Sequence, residues 1–286
     1  MRRQAAEVDV EMDTMDSILV KLTIAYDGTA YQGWQVQKIG LGVQQKLEEA
    51  IHRIFPSVRR IRSSSRTDTG VHALGMVADM TIPRGELRMP LRKVPLAINA
   101  YLPDDIRVVS AVRVPSHFHA RFDAQKKQYR YFVWNHPVMN PLLRRTAWHV
   151  PSPLDVRAMR AAVRHLLGRR DFRSFAANHT YAIEDTVRTL HRCEIKRSGP
   201  SLTFVLEGDG FLYKMCRGIV GTLVQLGRGK FTEAELKAMV AAQDRRVAGM
   251  TAPAHGLVLW KVFYGGKSAR SVRPPRAAGT RSSLEG

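Results

Sequence analysis

Between residues 18 and 265 the apolar residues recur now at every second position and now at helical spacing, and the two patterns mix without strict alternation. That mixture is the strongest constraint on the fold. It predicts α+β, with sheet and helix together in each half, rather than a regular strand–helix succession. Residues 19–26 read as a strand ending at the turn signal Asp27-Gly28. Val43, Leu47, Ala50, Ile51 and Ile54 share one face of a helix that stops before Pro56. Strands are expected at 58–62, 74–82 and 106–114, with a helix at 91–100 between the last two.

Strand 125–134 opens a second unit. Helix 155–167 is expected to close on Gly168 as its C-cap. Strands 187–196 and 202–207 make a hairpin around Ser198-Gly199-Pro200, and helix 212–226 follows. Helix 232–242 begins with the capping box Thr232-x-x-Glu235, and a last strand covers 257–264. The expected organisation is a disordered lead-in at 1–17, an N-terminal α/β subdomain at 18–118, a C-terminal α/β subdomain at 119–265, and a disordered basic tail at 266–286.

The chain of 286 residues is long enough for one large or two ordinary domains. Lys and Arg number 45 against 25 Asp and Glu, a net charge of +20. The lead-in holds two Arg and five acids, and the tail five Lys or Arg and one acid, which leaves +19 on residues 18–265. A folded body this basic is expected to face a polyanion, nucleic acid first. A basic but merely solvated surface is the plain alternative. Cys193 and Cys216 are the only cysteines and lie in unrelated segments. That argues against a disulfide framework or a zinc site and suits a reducing, cytoplasmic setting. No apolar run nears the ~18 residues of a membrane span, and the acidic start lacks the apolar stretch of a secretory signal.

The chemistry concentrates in Ser65-Arg66-Thr67-Asp68-Thr69-Gly70-Val71-His72-Ala73, which follows a predicted strand. One carboxylate stands beside one guanidinium just before a glycine. A close cation favours the carboxylate form, so Asp68 is expected as an ionised nucleophile or base. Taken alone, the segment would read as a polar turn with a surface ion pair. Asp68-Thr69-Gly70 also spells the triplet of aspartic proteases, but those enzymes pair two such carboxylates, the triplet occurs once here, and Arg66 and Thr67 precede it instead of apolar residues. Gly229-Lys230 fails as a phosphate loop, because Val224 and Phe231 stand where Gly and Ser or Thr are required. There is no His-Glu-x-x-His, and the ten His are scattered. Nothing points to a metal or nucleotide cofactor.

With these features in place, the chain resembles the tRNA pseudouridine synthase A family over about residues 19–264. The blocks run in order: Tyr26-Asp27-Gly28, Tyr31, Gly33-Trp34-Gln35, Gln37 and Val43-Gln44; Arg66 to His72; Asn99; Phe118-His119-Ala120-Arg121-Phe122 and Tyr129-Arg130-Tyr131; Asp171-Phe172, Ser174-Phe175 and Ala177; Thr186 to Thr189; Phe211-Leu212-Tyr213 with Met215 to Gly221; and Gly256 to Leu259. Any one block is weak, and all of them in order are specific. Ser65 and Thr69 stand where the family often has Gly and Ala, and Cys216 stands where an aliphatic residue is usual. These departures leave the charged and aromatic groups in place.

The resemblance implies two sheet-plus-helix halves with the active-site cleft between them, a homodimer, no cofactor, and conversion of uridine to pseudouridine in the anticodon stem-loop of tRNA, at positions 38, 39 and 40. Asp68 is then the catalytic carboxylate. Arg66 helps hold or replace the flipped base, its alternative being an ordinary loop ion pair. Tyr129 packs on the target uracil and offers a hydroxyl as proton acceptor or donor. Arg217 sits in an otherwise apolar helix and needs a partner, for which Asp68 is the candidate; otherwise it snorkels to the surface. Lys126, Lys127 and Arg130 around Tyr129, and Arg59, Arg60 and Arg62 before the loop, read as phosphate contacts, or singly as a solvated positive face. The rival reading is a non-catalytic RNA-binding protein on the same fold.

Overall fold

The computed structural model describes residues 17–37, 39–177 and 185–265; the expected tail, and the expected lead-in apart from Ser17, lie outside the described residues. The N-terminal part contains β1 (Ser17–Tyr26), α1 (Val43–His52), β2 (Arg62–Ser63), β3 (His72–Pro83), α2 (Val94–Asn99) and β4 (Ile106–Arg113). The C-terminal part contains β5 (Ala124–Trp134), β6 (Trp148–His149), α3 (Val156–Ala162), β7 (Gly168–Asp171), β8 (Val187–Ser198), β9 (Ser201–Gly208), α4 (Met215–Gly227), α5 (Glu233–Ala242) and β10 (Leu257–Tyr264).

Most elements form where the local pattern asks for them. Strand β1 alternates, with Val20, Leu22 and Ile24 fully buried. In α1 the residues Val43, Leu47, Ala50 and Ile51 face the core. Thr232 and Glu235 make the reciprocal capping box that opens α5. Three expectations need correction. The strand expected at 58–62 shrinks to β2, because the Ile61 N–H bonds the Glu48 carboxylate of α1 (3.3 Å) rather than a neighbouring strand. The helix expected at 155–167 is α3 followed by a 3-10 turn at Val163–Leu166. Gly168 does adopt a positive φ of 85°, but it opens β7 instead of capping a helix. Finally, α4 starts at Met215, after Lys214 in the left-handed region, and not at 212.

The two halves share one continuous sheet, in the order β4-β1-β3-β10-β5-β9-β8-β7, with β2 on β3 and β6 on β5. The last strand in sequence therefore lies in the middle. β10 pairs in parallel with the start of β3 (Val258↔His72, Leu259↔Ala73) and antiparallel with β5 (Leu259↔Tyr129). This register sets the first residues of β3, which follow the Asp68 loop, close to Tyr129.

Helix α4 is buried along nearly its whole length. A Cβ on Gly221 would lie 1.9 Å from the Met250 carbonyl oxygen, so only glycine allows the 250–252 segment to lie against the helix. That close approach shapes the site.

Candidate active site

The loop from Ser64 to Val71 is tied down along its length. Ser64 N–H donates to Val77 O (2.8 Å), Trp34 N–H to Thr67 O (3.2 Å), and Gly70 N–H to Tyr31 O (3.3 Å). Tyr26 Oη and Thr67 Oγ1 share a hydrogen bond of 2.8 Å. Gly33, at φ +86°, passes so close that a Cβ there would lie 2.4 Å from Thr67 O. Gly70, at φ +75°, turns the chain into β3, with Val71 N–H on Asp68 O (3.1 Å). The backbone beside Asp68 is therefore rigid, while its side chain stays 18% exposed.

Arg217 reaches that side chain from the first turn of α4. Its Nη1 donates to Asp68 Oδ2 at 2.8 Å and its Nε to Ala252 O at 2.8 Å, while Ala252 N–H returns a bond to Arg217 O at 3.0 Å. The guanidinium is 14% exposed, so it is held in the site and does not snorkel. Ala252 belongs to a strap fixed at two further points. Tyr131 Oη donates to Pro253 O (2.8 Å), and His72 Nε2 lies 3.0 Å from His255 O and 2.9 Å from Arg145 O. His72 Nδ1 accepts from Gly28 N–H at 3.0 Å. One imidazole thus joins the start of β3, the β1 turn and the strap. No sequence motif marked residues 250–255; Tyr131, two positions from Tyr129 and so on its side of β5, was the available hint.

Tyr129 is buried and meets Phe211 edge-on, with ring centroids 5.0 Å apart. Burial pushes its phenol well above the ordinary range; Cys216, Tyr26 and the Asp68 carboxylate add to the shift. Such a hydroxyl keeps its proton at neutral pH and is a donor, not a base. Cys216 itself is buried and raised by the same desolvation, then by Asp68, so it acts as a small apolar wall.

Strand alternation divides the expected phosphate contacts. Lys127 lies on the Tyr129 side of β5 and donates to Ser64 O at 2.7 Å. Burial lowers its ammonium to about 8, with the Arg121 charge contributing. Lys126 and Arg130 lie on the other side. Lys126 is paired with Glu207 at 2.7 Å, and the Arg130 guanidinium lies 3.8 Å from the Trp260 ring centroid. Arg66 is exposed, and its guanidinium makes no hydrogen bond or ion pair with the described residues. The structure therefore brings Asp68, Arg217 and Tyr129 together, puts Lys127 on the Tyr129 side of β5 against the start of the Asp68 loop, leaves Arg66 exposed, and does not bring Lys126 or Arg130 to the same face.

A family model described as tRNA pseudouridine synthase matches residues 22–123 and 162–265, in both halves of the sheet. Among relatives, tRNA pseudouridine synthase A of Pelobacter propionicus is 45% identical over 245 residues, covering 86% of this chain and 99% of that protein. The proteins of the same name from Bacillus velezensis and Bacillus subtilis are 46% and 44% identical, each over 247 residues, 86% of this chain and 98% of theirs.

Proposed function

Because the chain belongs to the tRNA pseudouridine synthase family, and so isomerises uridine to pseudouridine in tRNA, we propose that Asp68 is its catalytic carboxylate, with Arg217 and Tyr129 completing the site. The observation that carries this reading is the 2.8 Å bond between Arg217 and Asp68 beside Tyr129. A binding-only protein has no use for a carboxylate fixed where a polyanion approaches. That weighs against the non-catalytic rival.

In the reaction the bond from uracil N1 to C1′ breaks, the base turns while held, and C5 bonds to C1′. The proton lost from C5 is balanced by the one gained at N1, so no oxidant or energy source is consumed. Breaking the glycosidic bond develops positive charge on the sugar, which the Asp68 carboxylate stabilises or traps. Arg217, held by Ala252 O, fixes the direction of that carboxylate. Tyr129 offers the base a wall and a donor hydroxyl. Arg66, without a partner among the described residues, is free to take the place of the flipped uridine, whose extrusion costs a few kcal/mol.

The reading extends to the anticodon stem-loop, positions 38 to 40, and to a homodimer, both carried by the family resemblance. Incubating the purified protein with unmodified tRNA transcripts and mapping pseudouridine at single-nucleotide resolution tests the substrate. Pseudouridine absent from 38–40 but present elsewhere would replace the target, and none at all would overturn the function. Sedimentation velocity tests the dimer.

A further inference from the structure

Toward the end of β3 that is remote from the Asp68 loop lies a groove of about 350 Å³, lined by Ser17, Arg59, Arg60, Arg62, Asp79 and Thr81 among others. Its charges are unevenly matched. The Asp79 carboxylate is wholly buried and committed. Oδ2 accepts from Arg62 Nε (2.6 Å) and forms an ion pair with Nη2 (2.5 Å), and Oδ1 accepts from Ala120 N–H (2.7 Å). Arg62 Nη2 also donates to Phe118 O at 3.3 Å, so this half-exposed guanidinium is held beside Asp79 and neutralised there. Two carboxylates that bond the neighbouring backbone are also engaged: Glu86 accepts from Ser57 N–H at 3.1 Å, and Glu48 accepts from Ile61 N–H at 3.3 Å and from Gln44 Nε2 at 2.9 Å. Arg59 and Arg60 are exposed, and neither guanidinium has a hydrogen bond or ion pair among the described residues. Two forked cations thus stand free in the lining of a groove that already carries a paired one, with Ser17 and Thr81 also lining it.

We propose that this groove is a phosphate-binding site for the tRNA backbone, separate from the site that holds the target uridine. The proposal rests on the tRNA reading above and adds where part of the backbone lies. Guanidinium forks match phosphate oxygens two at a time. Arg62 is six residues from Asp68, so its backbone lies within about 20 Å of the Asp68 backbone, and Arg60 and Arg59 within roughly 30 Å. A backbone crossing both points is anchored at two places on one rigid sheet. Contacts of this kind set register and affinity but carry no base preference. They act on binding, not on the chemical step.

The test compares the wild-type protein with R59Q/R60Q and with a control, R157Q/R169Q, which removes two exposed arginines elsewhere. All four positions are exposed, so folding is not at issue. Unmodified tRNA is the probe, and affinity is measured across a salt series beside single-turnover pseudouridine formation. The expected result for R59Q/R60Q is about tenfold weaker binding. The slope of log K against log salt should be shallower by roughly 0.7–0.9 for each phosphate that the variant no longer neutralises, with an unchanged rate at saturating protein. The control should keep the wild-type slope. An unchanged slope in R59Q/R60Q, or an equal loss in the control, would overturn the proposal, the latter by showing a general charge effect. A failure of the tRNA reading itself is distinguishable, because the wild-type protein would then form no pseudouridine.

Discussion

Arg217 and Asp68, 149 positions apart in the sequence, meet across 2.8 Å, and the same guanidinium is held from behind by Ala252 O. The direction of the carboxylate is therefore set by α4 and the strap, while its backbone is set by β1 and the β1–α1 loop. The geometry of this proposed catalytic pair is a joint product of both halves, which the first variants exploit.

Asp68→Asn keeps the size of the side chain and removes its charge. Pseudouridine formation should fall below detection, while tRNA binding stays within several-fold of wild type or tightens, since a negative charge near phosphates is gone. Single-turnover assays with filter binding read both. Substantial modification by this variant would remove Asp68 from the mechanism.

Arg217→Met leaves the Asp68 carboxylate without its partner in a site only 18% exposed. Stranding one member of a fully buried pair costs about 3–5 kcal/mol; partial exposure reduces this to roughly 1–3 kcal/mol. The variant should lose activity and stability together. The double variant Asp68→Asn/Arg217→Met should be no less stable than Arg217→Met alone, because the stranded charge is absent. Urea unfolding of the three proteins completes the cycle, and a strictly additive loss would mean that the pair is not coupled.

Tyr131→Phe deletes the hydroxyl that holds Pro253 O, next to the carbonyl that positions Arg217. A hydrogen bond of this kind is worth about 0.5–1.5 kcal/mol. The expected outcome is a severalfold to tenfold fall in kcat with KM for tRNA nearly unchanged and a modest drop in Tm. A purely structural hydroxyl would lower Tm and leave kcat of the folded fraction intact.

Lys127 supplies a pH signature. Its ammonium is lowered to about 8 in the folded protein by burial, with help from Arg121, against 10.5 ordinarily. Between those values the unfolded chain binds a proton that the folded protein does not, so this group makes stability rise with pH there; below 8 its penalty is complete. The stability of wild type relative to Lys127→Met should therefore increase from pH 8 to pH 10 and stay flat from pH 6 to pH 7.5. A difference that is constant throughout would show that Lys127 titrates normally.

What was legible in the sequence was local. Alternation marked β1, β3 and the hairpin β8–β9, helical spacing marked α1, and the Thr232–Glu235 box marked the start of α5, because each depends on residues within a few positions of one another. The Arg66-Thr67-Asp68 loop was legible for the same reason. In β5 the two-residue period of a strand already put Lys127 with Tyr129 and Lys126 with Arg130, but Gln128 is buried on one side and Tyr129 on the other, so the pattern carried no sign of which side faces Asp68.

The sequence by itself determined most of the secondary elements, the basic body and the loop that carries the proposed catalytic carboxylate. The tertiary structure decided that the last strand enters the middle of the sheet, that an arginine in an apolar helix faces Asp68, and that a strap without any motif holds it there. The physical reason is that strand order and ion pairing depend on residues tens to hundreds of positions apart coming together. Short-range periodicity carries no record of such meetings, and they occur only when burial of the two halves against one sheet repays the chain entropy given up.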